Sequence, residues 1–312
     1  MHTKEICIAT RESPLALAQA DFIETRLASF WPTLTLKRLA MSTTGDRFLH
    51  DQLRTLGGKG LFVKELEEAL LDGRADLAVH SMKDVPVNFP KGLSLAVVCA
   101  RENPFDAFIS PKYTSIFNLP EGASVGTSSL RRQAQLLALR PDLQIKPLRG
   151  NVGTRLNKLN NGEYDAIVLA TAGLKRLNLD HLIVEQLDES TMLPVCGQGA
   201  LGLECRTDDE ALKTLLTPLH DASTTCCVQT EREVNAYLGG SCHTPVAIYC
   251  KPGLNNTLIL NALVASRDGR RIIRASETGP VSDALALAKQ CAMTLLDQGA
   301  QTLIHESFDH DA

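Results

Sequence analysis

Through the first two-thirds of the chain, short apolar runs with β-branched residues alternate with longer runs of helical period, which predicts β-α-β units and a mostly parallel sheet. Glu5–Thr10 reads as a strand. Ser13 caps the next helix, with Pro14 at its first position and Leu15 to Leu27 along it. Leu34–Met41 is a second strand, Leu61–Leu71 a helix stopped at Gly73, and Ala75–His80 a third strand. Between them Thr43–Gly60 is polar and carries Gly45, Gly57, Gly58 and Gly60; a loop of that length is expected to be mobile and functional.

A second unit begins near Asn103-Pro104. It holds strands at Ser124–Gly126, Gln144–Leu148 and Ala166–Ala170, with helices at Leu130–Leu139 and Thr154–Asn160. The run Gly199–Cys205 reads as a strand returning to the first unit. From Leu219 the pattern changes to a helix over Thr225–Leu238, three strands with a hairpin turn at Asp268-Gly269, and a final helix capped by Ser282 and ended by Gly299. The expected fold class is α/β, with domains at 1–100 plus 198–218, at 101–197, and a small α+β domain at 219–312. No internal repeat is visible.

Composition narrows the classes. At 312 residues, 44% hydrophobic and 22% charged, the chain is long enough for a sizeable core and too apolar to be disordered. A net charge of −4 offers no polycation for nucleic acid, so any anion binding rests on local placement of Arg and Lys. No run approaches the ~18 apolar residues of a membrane span, and the N-terminus has no apolar leader core. Nine cysteines without a Cys-x-x-Cys pair predict reduced thiols in a cytoplasmic protein, with no disulfide framework and no zinc site.

That local placement is pronounced. In Gly126-Thr127-Ser128-Ser129-Leu130-Arg131-Arg132, hydroxyl residues cap a helix whose first turn carries two arginines. Cations there oppose the helix dipole by about 0.3–1 kcal/mol each, so an anion is expected between them. Arg11 precedes the Ser13 cap, Arg149 ends a strand, Arg155 lies in the next helix, and Arg176 follows another strand. In open α/β sheets these strand ends are where ligands bind, and Arg matches a carboxylate with a bidentate fork. Asp84, beside Lys83 in His80-Ser81-Met82-Lys83-Asp84-Val85-Pro86, is either a helix cap paired to that lysine or an ionised group that steadies a cation or moves a proton. Cys242, in Gly239-Gly240-Ser241-Cys242-His243-Thr244-Pro245, is a thiol presented on a turn; local sequence does not say what it carries.

Taken together these segments resemble the hydroxymethylbilane synthase (porphobilinogen deaminase) family over nearly the whole chain. The resemblance rests on Ala9–Leu17, Gly57–Glu67, Ala78–Pro86, Val125–Gln133, Leu148–Val152 with Thr154–Leu156, Tyr164–Ile167 and Gly197–Ala200. It implies two periplasmic-binding-protein-like domains with mostly parallel sheets plus a small C-terminal α+β domain. It further implies condensation of four porphobilinogen molecules on a dipyrromethane cofactor held by a thioether to Cys242, then release of the linear tetrapyrrole by water.

Under that resemblance Asp84 is the catalytic aspartate, and Arg11, Arg131, Arg132, Arg149, Arg155 and Arg176 bind carboxylates. Ser13, Lys83, Thr127 and Ser129 support them, and Lys59 on the long loop closes over the site. The partner is the small-molecule substrate alone, and the family expectation is a monomer. The chain departs from the family pattern at Ala18, at Asn103-Pro104-Phe105-Asp106 and around Cys242, none of which removes a charged group named above. Two other classes fit parts of the pattern: a two-lobed anion-binding protein without catalysis, and a Cys-dependent hydrolase.

Overall fold

Glu5–Arg11 forms strand β1, burying Ile6, Ile8 and Ala9. Ser13 then caps α1 (Pro14–Phe30), its hydroxyl accepting from Ala16 N at 3.4 Å, and the proline occupies the position where a missing N–H costs nothing. β2 (Thr35–Met41) runs parallel to β1 in register from Glu5 opposite Thr35 to Arg11 opposite Met41. After α2 (Lys64–Leu71) come β3 (Leu77–Ser81), a 3₁₀ turn at Met82–Asp84, and β4 (Leu93–Val98). The computed structural model describes residues 5–44, 62–240 and 244–309. Most of the expected long loop, Lys59 included, and Cys242 with its immediate neighbours therefore lie outside the described residues.

β10 (Leu201–Arg206) joins this sheet antiparallel between β3 and β4, giving the order β2-β1-β3-β10-β4. That is the return strand expected at Gly199–Cys205. One face packs Ile6, Ile8, Leu77, Val79, Leu201 and Leu203 against Ile23 and Leu27 of α1 and against Leu212 and Leu216 of α6 (Glu210–Leu216). The other packs Ala9, Ala78 and Leu93 against Leu66, Ala69 and Leu70 of α2. With both faces covered, β3 is buried from Leu77 to His80, and its first three residues are apolar.

The second sheet repeats the plan. β5 (Asp106–Ile109), β6 (Ser124–Gly126), β7 (Gln144–Lys146), β8 (Ala166–Ala170) and β9 (Glu185–Leu187) take the order β7-β6-β8-β5-β9. Here β6, β7 and β8 are parallel and β5 is the antiparallel insertion. Helix α3 (Leu130–Leu139) places Leu136 on one face; α4 (Val152–Asn160) and α5 (Thr171–Arg176) place Leu156, Leu159 and Leu174 on the other. A third, antiparallel sheet, β11 (Val246–Pro252), β12 (Thr257–Ala265) and β13 (Ile272–Pro280), shares an apolar core with α7 (Ala222–Leu238), α8 (Ala284–Asp297) and α9 (Ala300–Asp309).

The chain divides into two compact units, Met1–Glu102 with Ala200–Thr225, and Asn103–Gly199 with Cys226–Ala312. The second therefore holds both the β5–β9 sheet and the C-terminal sheet. Ala134 of α3 and Leu193 pack with Ala247, Tyr249, Leu263 and Ala265, and Gly269 in the β12–β13 hairpin sits against the backbone of α3.

Three local readings are corrected. The final helix is not capped by the Ser282 side chain: Val281–Asp283 makes a 3₁₀ turn first, and Ser282 Oγ donates to Asp283 Oδ1 at 2.9 Å instead. Gly299, at φ +91°, does end α8, but α9 follows at once. The strand expected to reach Leu148 stops at Lys146, because Leu148 N turns to donate to Ser128 Oγ at 3.0 Å.

Candidate functional site

In the first unit the site residues gather at the C-terminal ends of the adjacent parallel strands β1 and β3. Arg11 is the last residue of β1, and its guanidinium lies over the ring of Phe62, 4.4 Å from the centroid. Ser13 spends its hydroxyl on the α1 cap. At the end of β3, Ser81 Oγ accepts from Gln19 Nε2 at 2.8 Å. The chain then tightens into the Met82–Asp84 turn, with Met82 N donating to Ala200 O at 3.0 Å. Met82 is buried, whereas Lys83 and Asp84 are half-buried and accessible. Arg11, Ser13, Lys83 and Asp84 thus share one edge of one sheet. Asp84 does not cap a longer helix: Val85 is already extended.

In the second unit the corresponding edge is the C-terminal ends of β6, β7 and β8. Thr127 follows β6, and its Oγ1 accepts from Ser129 N at 3.1 Å. Ser129 in turn caps α3, accepting from Arg132 N at 3.4 Å. Past β7 come Arg149, half-buried, then Gly150 at φ +110°, and Asn151, which caps α4 by accepting from Thr154 N at 2.9 Å. Arg155 Nε donates back to Gly150 O at 2.7 Å. A side chain at Gly150 would collide with Thr154, 2.7 Å from its methyl carbon. Beyond β8, Arg176 donates to Gly199 O at 2.7 Å. Thr127, Ser129, Arg131, Arg132, Arg149, Arg155 and Arg176 are therefore all brought to one edge.

The anion expected between Arg131 and Arg132 is internal. Asp106, wholly buried at the start of β5, lies 2.7 Å from Arg131 through Oδ2 and 2.7 Å from Arg132 through Oδ1. Arg132 Nε also donates to Oδ1 at 3.1 Å, and Gln198 Nε2 does so at 3.1 Å. One further nitrogen of each guanidinium donates to backbone: Arg131 to Leu193 O at 2.7 Å and Arg132 to Val168 O at 3.0 Å. Burial by itself would raise the Asp106 carboxyl, but the two guanidinium charges and their hydrogen bonds outweigh it and hold it at about 2. Burial pushes the Arg131 guanidinium down from its ordinary value, offset in part by Asp106.

Two cations against one carboxylate leave this buried cluster with one excess positive charge, and Arg131 Nε is buried without a hydrogen-bond partner. Sequence reasoning gave Asp106 and Gln198 no role, although both lie in segments set against the family pattern. Besides that segment, Asp106 leads the apolar run Ala107-Phe108-Ile109 as a charged residue.

Among the described residues no helix is long and apolar enough to cross a membrane, and no group of three or more His, Cys, Asp or Glu side chains is arranged to hold a metal ion. Of the described cysteines, Cys99, Cys205, Cys227, Cys250 and Cys291 are buried, and Cys7, Cys196 and Cys226 are half-buried.

Fold and site together define an α/β protein of two like sheets, each ending its parallel strands in charged groups. Residues 6–214 match the family model described as porphobilinogen deaminase, dipyromethane cofactor binding domain, and residues 225–297 match that of the porphobilinogen deaminase C-terminal domain. Similar relatives include the porphobilinogen deaminase of Legionella pneumophila strain Lens, 54% identical over 97% of this chain and 98% of the relative, and that of strain Philadelphia 1, at 53% with the same coverage. Among solved structures, a putative methionine-binding lipoprotein from Bacillus subtilis is 18% identical over 72% of this chain and 93% of its own, at a TM-score of 0.45. The chain belongs to the porphobilinogen deaminase family.

Proposed function

We propose that this chain is the transferase that joins four porphobilinogen molecules head to tail, releasing ammonia at each step, and frees the linear tetrapyrrole hydroxymethylbilane by hydrolysis, an activity of porphyrin and haem biosynthesis. The observation that carries the reading is the match of both family domains across the chain, from residue 6 to residue 297. A binding protein without catalysis would not need the accessible Asp84 between Lys83 and a buried turn.

The residues fit a dipyrromethane group. Its acetate and propionate side chains call for several cations: Arg131 and Arg132, buried on Asp106, leave one excess positive charge at the second unit's sheet edge, and Arg149, Arg155 and Arg176 are half-buried there. In our reading Cys242 holds the group through a thioether, Arg149, Arg155 and Arg176 with Thr127 and Ser129 receive its carboxylates, and Arg131 and Arg132 act on it through their buried excess charge. When bound, the group supplies the pyrrole carbon to which the first substrate unit is joined.

The chain's own residues do the rest. Arg11 and Lys83 draw substrate carboxylates to the end of β1 and β3. Asp84 stabilises the methylene-pyrroleninium cation left when a substrate loses ammonia, and it takes up the proton that the new pyrrole–pyrrole link must lose. Lys59 is read as closing over the site, Ser13 as supporting Arg11, and the protein as a cytoplasmic monomer acting on small molecules. Porphobilinogen consumption by Asp84→Ala tests the catalytic assignment. The variant should keep its cofactor and fall by about a hundredfold or more in rate; turnover near that of the parent would reduce Asp84 to a structural turn residue.

A further inference from the structure

Beneath the Met82–Asp84 turn lies a group of titratable side chains that the mechanism above does not use. His80, on β3, is 4% exposed, and its Nε2 lies 2.8 Å from Oε2 of Glu204, on β10, which is 1% exposed. Glu204 Oε1 is buried with no hydrogen-bond partner. A third group comes from α2: Glu67, 9% exposed, on the face that packs against this sheet. Burial, then the charge of Glu204, pushes the Glu67 carboxyl up to about 7, and His80 opposes the rise. A buried carboxylate pair of this kind cannot readily carry both charges.

The group is coupled in space to the turn. Gly202 of β10 is opposite His80, and Met82 occupies the room a side chain there would fill: a Cβ on Gly202 would lie 2.3 Å from Met82 Sδ. The β10–β4 register shifts between Leu203 and Glu204, the irregularity by which a strand re-aims a side chain. The first residue of the catalytic turn is thus seated on the strand segment that carries Glu204 and faces His80.

Other charged groups on the packed elements are engaged elsewhere. Arg206 of β10 donates to Leu70 O and Ala75 O at 3.0 and 2.8 Å and pairs with Asp76. On β1, Arg11 covers Phe62 and Cys7 packs at the edge of the α2 layer; Glu68 on α2 adds only a small upward push to Glu67. β4 contributes Leu93.

We propose that Glu67, His80 and Glu204 act as one set of positioning residues for Asp84, a buried unit that holds or releases a single proton beneath the Met82–Asp84 turn and thereby sets the rate at which the aspartate works. The exchange is simple: the Glu67 carboxyl gives its proton to solvent and gains one negative charge. Ionisation of Glu67 adds one negative charge beside the His80–Glu204 pair, and the added negative potential favours the substrate cation that Asp84 faces. This inference rests on the reading of Asp84 given above.

The test is the pH dependence of kcat/KM for porphobilinogen in the primer-loaded holoenzyme, between about pH 5 and pH 9. For a group titrating near 7 the parent should gain roughly tenfold between pH 6 and pH 8. Glu67→Gln, which fixes the neutral form, should load primer normally and stay within about twofold of its low-pH value across that range. A role in packing alone would leave the shape of the profile untouched. A Glu67→Gln profile parallel to the parent's, alongside an impaired Asp84→Ala, overturns the triad and leaves the Asp84 reading standing; normal turnover by Asp84→Ala overturns that reading and this one with it. If Glu67→Gln does not fold, the parent profile decides: no inflection between pH 6 and pH 8 overturns the proposal.

Discussion

Asp106→Asn isolates the charge that holds Arg131 and Arg132. The asparagine keeps the size of the side chain, and its carbonyl oxygen still accepts from Arg132 Nε and NH2 and from Gln198, at 3.1, 2.7 and 3.1 Å. Its amide nitrogen, however, replaces the oxygen 2.7 Å from Arg131 NH2, setting donor against donor. The two guanidinium groups then lose their one buried counter-charge. Removing one partner of a buried ion pair costs about 3–5 kcal/mol.

Protonation gives an independent lower figure. The Asp106 carboxyl is lowered from 3.8 to about 2, so its ionised form carries about 2 kcal/mol of stability. Because the folded value is depressed, that contribution is complete above the unfolded value near 4 and is lost as pH falls through about 2. The expected loss for Asp106→Asn at neutral pH is therefore about 2–5 kcal/mol. Urea unfolding followed by circular dichroism measures it. Where the two units unfold separately, the loss belongs to the transition of the unit that contains residues 103–199. A loss below about 1 kcal/mol would refute the argument, because it would mean that solvent reaches and screens the two arginines.

Gly269→Ala should destabilise the second unit by about 1–3 kcal/mol, since it forces alanine to φ +69° and drives its Cβ to 2.3 Å from Ala134 O and 2.6 Å from Ala138 N. An unchanged melting temperature would mean that the β12–β13 hairpin does not rest on α3 as described. Cys242→Ser should give folded protein that fails to retain a dipyrromethane through denaturation, because a hydroxyl is the poorer nucleophile for capture. Retention of the group by that variant would move the attachment to another residue.

Much of this architecture was readable because it is local. The Ser13-Pro14 start of α1, the apolar run of β3, the return strand after Gly199 and the Asp268-Gly269 hairpin are each written in a few consecutive residues, and each is found where expected. The charged strand ends were legible for the same reason: arginines in the first turn of α3 oppose the helix dipole and demand a partner. What the partner is was not legible, because Asp106 comes from a four-residue strand and meets Arg132 across 26 positions.

The His80–Glu204 pair spans 124 positions and is equally silent in sequence. That the chain's two five-stranded sheets share one strand order was expected from the family resemblance alone, since that likeness lies in backbone path and not in residue identity. Antiparallel β5 and the edge strand β9 were missed as strands: four and three residues are too few to show a period.

The central claim is that this chain builds its tetrapyrrole on a primer covalently held at Cys242. The measurement that reaches it most directly is the intact mass of the purified protein in denaturing solvent, before and after incubation with porphobilinogen, followed by mapping of the Cys242 peptide. The account predicts an excess over the sequence mass equal to two porphobilinogen units less their ammonia, located on that peptide, with further whole units added on incubation. An unmodified mass that porphobilinogen leaves unchanged would contradict it.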